Sequence, residues 1–160
     1  MPESIFKQVS LDILRLHQHT IRSLLATQCC NDCEVHDVFY ITLDGRYYVW
    51  LPCMNKAEQV EAGILLIEDE TSDIRLSWVA NTREVQKKDS LYEKVVSALQ
   101  RRLRQTKNKF IQAKDTCLLE LTPKQGRLTT GSRDLSLSPH DLMKALYPAT
   151  HQLKSGGFAL

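Results

Sequence analysis

A chain of 160 residues, 42% hydrophobic and 25% charged, has the length and composition of one globular domain with a sizeable core. No apolar run approaches the roughly 20 residues of a membrane span. Met1-Pro2-Glu3-Ser4 lacks the basic and apolar regions of an export signal, so a cytoplasmic protein without a membrane partner is expected. The net charge of +2 divides into −6 over residues 1–80 and +8 over residues 81–160, which suits the second half to anionic partners.

Ile5, Val9, Ile13 and Leu16 recur at helical spacing, so residues 4–18 read as an amphipathic helix with Ser4 as a cap. Residues 22–29 form a first strand, and Asn31-Asp32 is turn chemistry. Residues 35–43 alternate as a second strand, Asp44-Gly45 marks a hairpin, and Arg46 to Leu51 returns as a third strand stopped by Pro52. Residues 55–62 suit a short helix. Ile64-Leu65-Leu66-Ile67 has no polar break and reads as a strand buried on both faces. Its acids Glu68, Asp69 and Glu70 are read as a solvated, structural strand end. Ile74 to Val85 alternates as another strand. Asp89-Ser90 opens a helix striped with Leu91, Val95, Leu99 and Leu103, and residues 104–114 follow as a basic tail or connection. Thr116 to Leu121 and Arg127 to Thr130 read as two strands about a Lys124-Gln125-Gly126 turn. Ser138-Pro139-His140-Asp141 starts a last helix ending near Tyr147-Pro148. The whole is a mainly β (α+β) single domain, 1–160: an N-terminal helix over 1–20, barrel and helices over 21–146, and a tail over 147–160. Six or seven short strands with hairpin turns imply an antiparallel barrel with helices outside.

Cys30-x-x-Cys33 with His36 has metal-like spacing, and Cys29 adds a further thiol. A second ligand pair is missing, so free thiols are the favoured reading of an odd five-cysteine chain. His17 and His19 are read as solvated residues at a helix end, and His140 as a surface residue of the last helix. His151 lies in a tail without core logic, where an imidazole can reach a neighbouring surface and ligate a metal. Nine basic residues between Lys87 and Lys114 lack an interleaved aromatic platform, which argues for a solvated helix face and against nucleic acid. A Gly-rich phosphate loop and a defensible catalytic triad are both absent from the sequence.

Two blocks carry a family resemblance. Leu65-Leu66-Ile67-Glu68-Asp69-Glu70-Thr71 resembles the I-E-D-E-T strand end of haem-iron-utilisation proteins of the HugZ/HutZ type. Lys114 to Gly126, through Asp115-Thr116-Cys117-Leu118 and Leu121-Thr122-Pro123, resembles the same family's D-F-x-L-F-x-L-x-P-x-x-G block. Those proteins are relatives of pyridoxamine 5′-phosphate oxidase, in the FMN-binding split-barrel superfamily. The resemblance, over about residues 21–151, implies a six- to seven-stranded antiparallel split β-barrel that works as a homodimer with its sites at the interface. It further implies haem as cofactor, with His151 as axial iron ligand, Asp115 as the carboxylate that tunes it, and Arg127 and Arg133 on the propionates. A carboxylate on the second ring nitrogen would fix the tautomer and raise ligand basicity. Oxidative haem degradation with release of iron is the implied activity. FMN-dependent oxidoreduction and a non-catalytic interaction barrel are the alternatives. The chain departs from the family at Pro52 to Gln59, which holds no histidine, and at Gly131-Ser132-Arg133-Asp134-Leu135, where a Gly-Phe-Gly loop is usual.

Overall fold

A computed structural model of the chain describes residues 2–29, 32–52, 62–103, 116–131 and 133–147. Helix α1 spans Pro2–His19, two residues longer at its start than the apolar periodicity indicates. Proline suits the first helical turn, so Ser4 lies inside the helix and does not cap it. Strands β1 (Arg22–Cys29), β2 (Asp32–Leu43) and β3 (Arg46–Pro52) form an antiparallel meander. Asp32 belongs to β2 and pairs with Cys29, so it is a ladder residue and not part of the turn. Asp44 and Gly45 have φ of 54° and 79°, the two positive angles of a tight hairpin turn matched to strand twist.

Strands β4 (Ala62–Asp69) and β5 (Ile74–Val85) form a second hairpin, then helix α2 covers Ser90–Leu103. The last elements are β6 (Thr116–Thr130), β7 (Arg133–Leu137) and a helix, here α3, over Pro139–Leu146. The sheet order is β3-β2-β1-β4-β5-β6-β7, and β3 also pairs with β6. That extra pairing closes six strands into an antiparallel barrel and leaves β7 as an added strand on β6. The mainly β barrel expected from the sequence is therefore present.

Two strand readings need correction. β4 alternates: Gly63, Leu65 and Ile67 face the core, while Ile64 is 49% exposed and Leu66 is half-buried. An unbroken apolar run here signals an uncovered sheet face, not burial on both sides. β6 is one 15-residue strand, not two about a turn. Pro123 pairs with Ala80 and Gln125 with Val79, so Lys124 is the extra residue of a bulge. A bulge is where a strand tolerates proline, which is why Pro123 does not end the ladder. Next along, Gly126 pairs with Trp78, and a Cβ on it would lie 2.6 Å from the indole ring. The indole packs flat on bare backbone there.

Inside the barrel, Leu25, Tyr47, Val49, Leu65, Ile67, Trp78, Leu119, Leu121 and Leu128 form one core with Ile13 and Leu16 of α1 and Leu142 and Ala145 of α3. Ser138 and Asp141 make a reciprocal capping box with Pro139 in the first turn, so the α3 start agrees with the sequence. A second cluster lies on the barrel's outer surface, where Val95 and Leu99 of α2 cover Ile41, Tyr48, Trp50, Val85 and Leu118. The expected helix over 55–62 and the basic segment 104–114 fall on residues outside the described ones, save Ala62, which begins β4.

Candidate functional site: the uncovered sheet face

The outer surface of β2, β1, β4, β5, β6 and β7 carries side chains in register rows. Val35, Ala26, Ile64, Val79 and Gln125 are successive partners across five strands. The next row runs Asp37, Leu24, Leu66, Ser77, Arg127 and Ser136. A third joins Glu68, Arg75, Thr129 and Asp134. Val35 is 66% exposed, Ile64 49%, Val79 44% and Leu24 42%. Exposed apolar side chains contiguous over several strands mark an interaction surface.

The face changes character toward β5 and β6. Arg75 pairs with Thr129 and Ser77 with Arg127, so the two arginines are diagonal neighbours with two hydroxyls between them. Cross-strand diagonals of this kind are about 7–8 Å apart at the backbone, within one ligand's reach. Arg75 approaches Glu68 at 3.5 Å and Arg127 approaches Asp134 at 3.3 Å, each through Nε. An apolar floor beside two guanidiniums is suited to a flat amphiphile with carboxylate or phosphate groups at one edge.

Other polar groups are committed to architecture. Glu120 is 4% exposed and accepts from Arg83 Nε and Nη2 at 3.0 and 3.1 Å and from the Tyr48 hydroxyl at 2.9 Å. Burial alone would raise its carboxyl, but the Arg83 and Tyr48 bonds outweigh this and hold it below the usual carboxylate range. Asp69 accepts from Thr71 N at 3.1 Å, Thr71 Oγ1 at 2.6 Å and Ser72 Oγ at 2.9 Å, closing the β4–β5 turn. The bonds from Thr71 and then Ser72 lower its carboxyl. Glu70 is an exposed turn residue. The structural role read for these acids is consistent with this geometry for Asp69 and Glu70, whereas Glu68 faces Arg75 on the uncovered sheet face.

His17 departs from its reading as a solvated helix-end residue. It is 5% exposed, with Nδ1 donating to the Ile13 carbonyl at 2.6 Å. A carbonyl can only accept, so Nδ1 carries the proton and Nε2 accepts from the Tyr47 hydroxyl at 2.7 Å. Burial depresses the imidazole to about 4, so it is neutral near pH 7. Thr20 Oγ1 donates to the Leu16 carbonyl at 2.6 Å and accepts from the Tyr40 hydroxyl at 2.5 Å. Arg102 of α2 donates Nη2 to the carbonyls of His17 and Thr20, capping α1 from a second helix. This network is a polar plug and not a ligand site.

Of the residues predicted from sequence, Arg127 lies on the uncovered face. Arg133 pairs with Thr130, whereas Asp134 pairs with Thr129 beside Arg127. Alternation puts Arg127 and Arg133 on opposite faces of the β6–β7 ladder. Asp115 and His151 lie outside the described residues. So does Cys30. Cys33 is exposed and unbridged, and His36 Nε2 is 3.4 Å from Glu34. Among the described residues, no group of three or more His, Cys, Asp or Glu is placed to hold a metal, and no helix is long and apolar enough to cross a membrane. Arg75 was missed by sequence reasoning, since only strand register brings it beside Arg127.

No protein-family model and no curated protein matches the chain. Solved structures do. HutZ of Vibrio cholerae, described as a heme storage protein, superposes with a TM-score of 0.65 at 21% identity, covering 74% of this chain and 92% of that one. The fold is a split barrel. A heme binding protein from Mycobacterium smegmatis has a TM-score of 0.68 at 16% identity over 84% of this chain and 59% of its own. A relative of general stress protein 26 from Clostridium acetobutylicum, of the pyridoxinephosphate oxidase family, has a TM-score of 0.65 at 10% identity, covering 85% and 98%. The split barrel implied by the two sequence blocks is thus the fold of this chain, and its neighbours include haem-binding and pyridoxinephosphate-oxidase-type proteins.

Proposed function

We propose that this split barrel binds haem on its uncovered sheet face, works as a homodimer through the same face, and degrades haem oxidatively to release iron. The observation that carries the reading is the Arg75–Ser77–Arg127–Thr129 quartet beside the apolar rows of Ile64, Val79 and Leu24. Haem presents an apolar macrocycle and two carboxylates, and this surface offers a matching floor and two guanidiniums. Among the described residues, no histidine stands in these rows: His17 is in the core, His36 faces inward, and His19 and His140 are on helices. The axial ligand is therefore assigned to His151, with Asp115 as the partner of its second nitrogen, on the strength of the sequence blocks. Arg127 and Arg75 hold the propionates, while Arg133, on the other face, has a lesser part. The haem, when bound, supplies the oxygen chemistry; the chain binds, orients and shields it.

Titration of the purified protein with haemin should give a shifted Soret band, and His151→Ala should abolish the ligated spectrum. Ascorbate and air should then bleach the complex and deliver ferrous iron to a chelator. An unshifted band would overturn haem binding, and a stable complex under turnover conditions would restrict the role to carriage. An FMN-binding reading has one observation in its favour: the same guanidinium pair suits a phosphate. Retention of FMN with no response to haemin would select it. Tight dimers that bind neither would leave an interaction barrel.

A further inference from the structure

Both arginines of the quartet already have an acidic neighbour. Glu68 stands beside Arg75 on the adjacent strand, and Asp134 stands diagonal to Arg127 across the β6–β7 ladder. All four side chains are substantially exposed: 61% and 37% for Arg75 and Glu68, 64% and 53% for Arg127 and Asp134. Exposed pairs of this type contribute little to stability, so fold maintenance does not account for two of them flanking one seat. Among the described residues, two further carboxylates near this face are engaged elsewhere: Asp37 by Arg22 at 2.5 Å on the far side of the apolar rows, and Asp141 in the capping box of α3.

We infer that Glu68 and Asp134 are internal counter-ions of the anion seat, which stay beside its guanidiniums when a dianionic ligand enters, and that they set its affinity low enough for release. The inference rests on the haem-binding reading above. Without ligand, each carboxylate occupies the Nε edge of its guanidinium and cancels its charge. A ligand carboxylate arriving at the same guanidinium meets a like charge about 6 Å away. In water-like screening that repulsion weakens binding about three-fold per acid. Glu68→Gln and Asp134→Asn keep the shape of each side chain and remove the charge, so each should tighten binding about three-fold and the double variant about ten-fold.

The test uses iron-free deuteroporphyrin, which has both carboxylates but no metal, so His151 does not enter the readout. Binding is followed by porphyrin fluorescence with wild type, both single variants and the double variant, and repeated with the dimethyl ester. Tighter binding of the free acid by the variants, with the ester unaffected, is the expected result. If wild type binds the free acid and the variants bind it equally or more weakly, the counter-ion role is overturned while the haem reading stands. If neither wild type nor any variant binds it, the two arginines are not an anion seat and the counter-ion role is overturned, while haem binding through His151 is judged by the haemin titration.

Discussion

The barrel has two outer faces built from the same kind of strand, and they solve the problem of outward apolar residues differently. One is covered by α2, which buries Trp50, Leu118 and Val85. The other leaves Val35, Ile64 and Val79 in solvent. The ion pairs follow suit. On the covered side Glu120 is buried and gripped by both prongs of Arg83; on the bare side Glu68 and Asp134 each meet an arginine loosely at the surface. Covered groups are spent on holding the fold, and only the bare ones remain free to exchange partners with a ligand or a second copy.

The contrast breaks if the two faces respond alike to mutation. Trp50→Ala on the covered face should cost about 3–5 kcal/mol in urea melts. Ile64→Asp on the bare face should leave the melting of the monomer nearly unchanged yet convert dimers to monomers in sedimentation velocity. Equal destabilisation by both would mean that the bare face is not free. The buried plug gives the next effect in size. His17 has a folded-state value of about 4 against 6.5 when unfolded. The unfolded chain therefore takes up the proton first, and stability falls as pH drops from about 6.5 toward 4, by about 3 kcal/mol in all. His17→Gln should flatten that slope while lowering stability at pH 7.

These acid-side effects separate by pH window. The Glu120 carboxyl is held below its unfolded value, so its stabilisation is complete at neutral pH. It is lost as pH falls through the carboxylate range, at the acid end of the His17 window and below it. Glu120→Ala should cost about 1–3 kcal/mol by leaving Tyr48 and Arg83 without their acceptor. Glu68→Ala, the matching change on the bare face, should stay within about 0.5 kcal/mol. A large loss there would mark the Glu68–Arg75 pair as architectural and sharpen the comparison in the opposite sense.

Local chemistry was readable from the sequence and long-range register was not. The α3 capping box, the Asp44-Gly45 turn and the β5 alternation depend on residues a few positions apart, and each stands where the pattern put it. The β6 bulge was hidden because Lys124-Gln125-Gly126 looks like a turn until Trp78 is known to lie on Gly126. His17 looked solvated because its acceptor role depends on Tyr47, thirty positions away. The quartet is hidden for the same reason: Arg75 and Arg127 meet only through the pairing of β5 with β6. Arg127 was singled out alone, through a family likeness, and Asp115 and His151 are supported by that likeness only.

The β3–β6 seam also sets a timetable. β3 is joined to β2 by a two-residue turn, yet its other edge waits for Thr116–Leu121 of β6. While the chain is being synthesised, Tyr47, Val49 and Leu51 therefore lie on a strand with one open edge until about three-quarters of the residues have emerged. Helix α1 waits almost as long for its cap, since Arg102 follows His17 by 85 positions. Contacts of that separation slow folding and lengthen the life of sticky intermediates. A protein that closes this late should depend on chaperones during synthesis more than its modest size suggests.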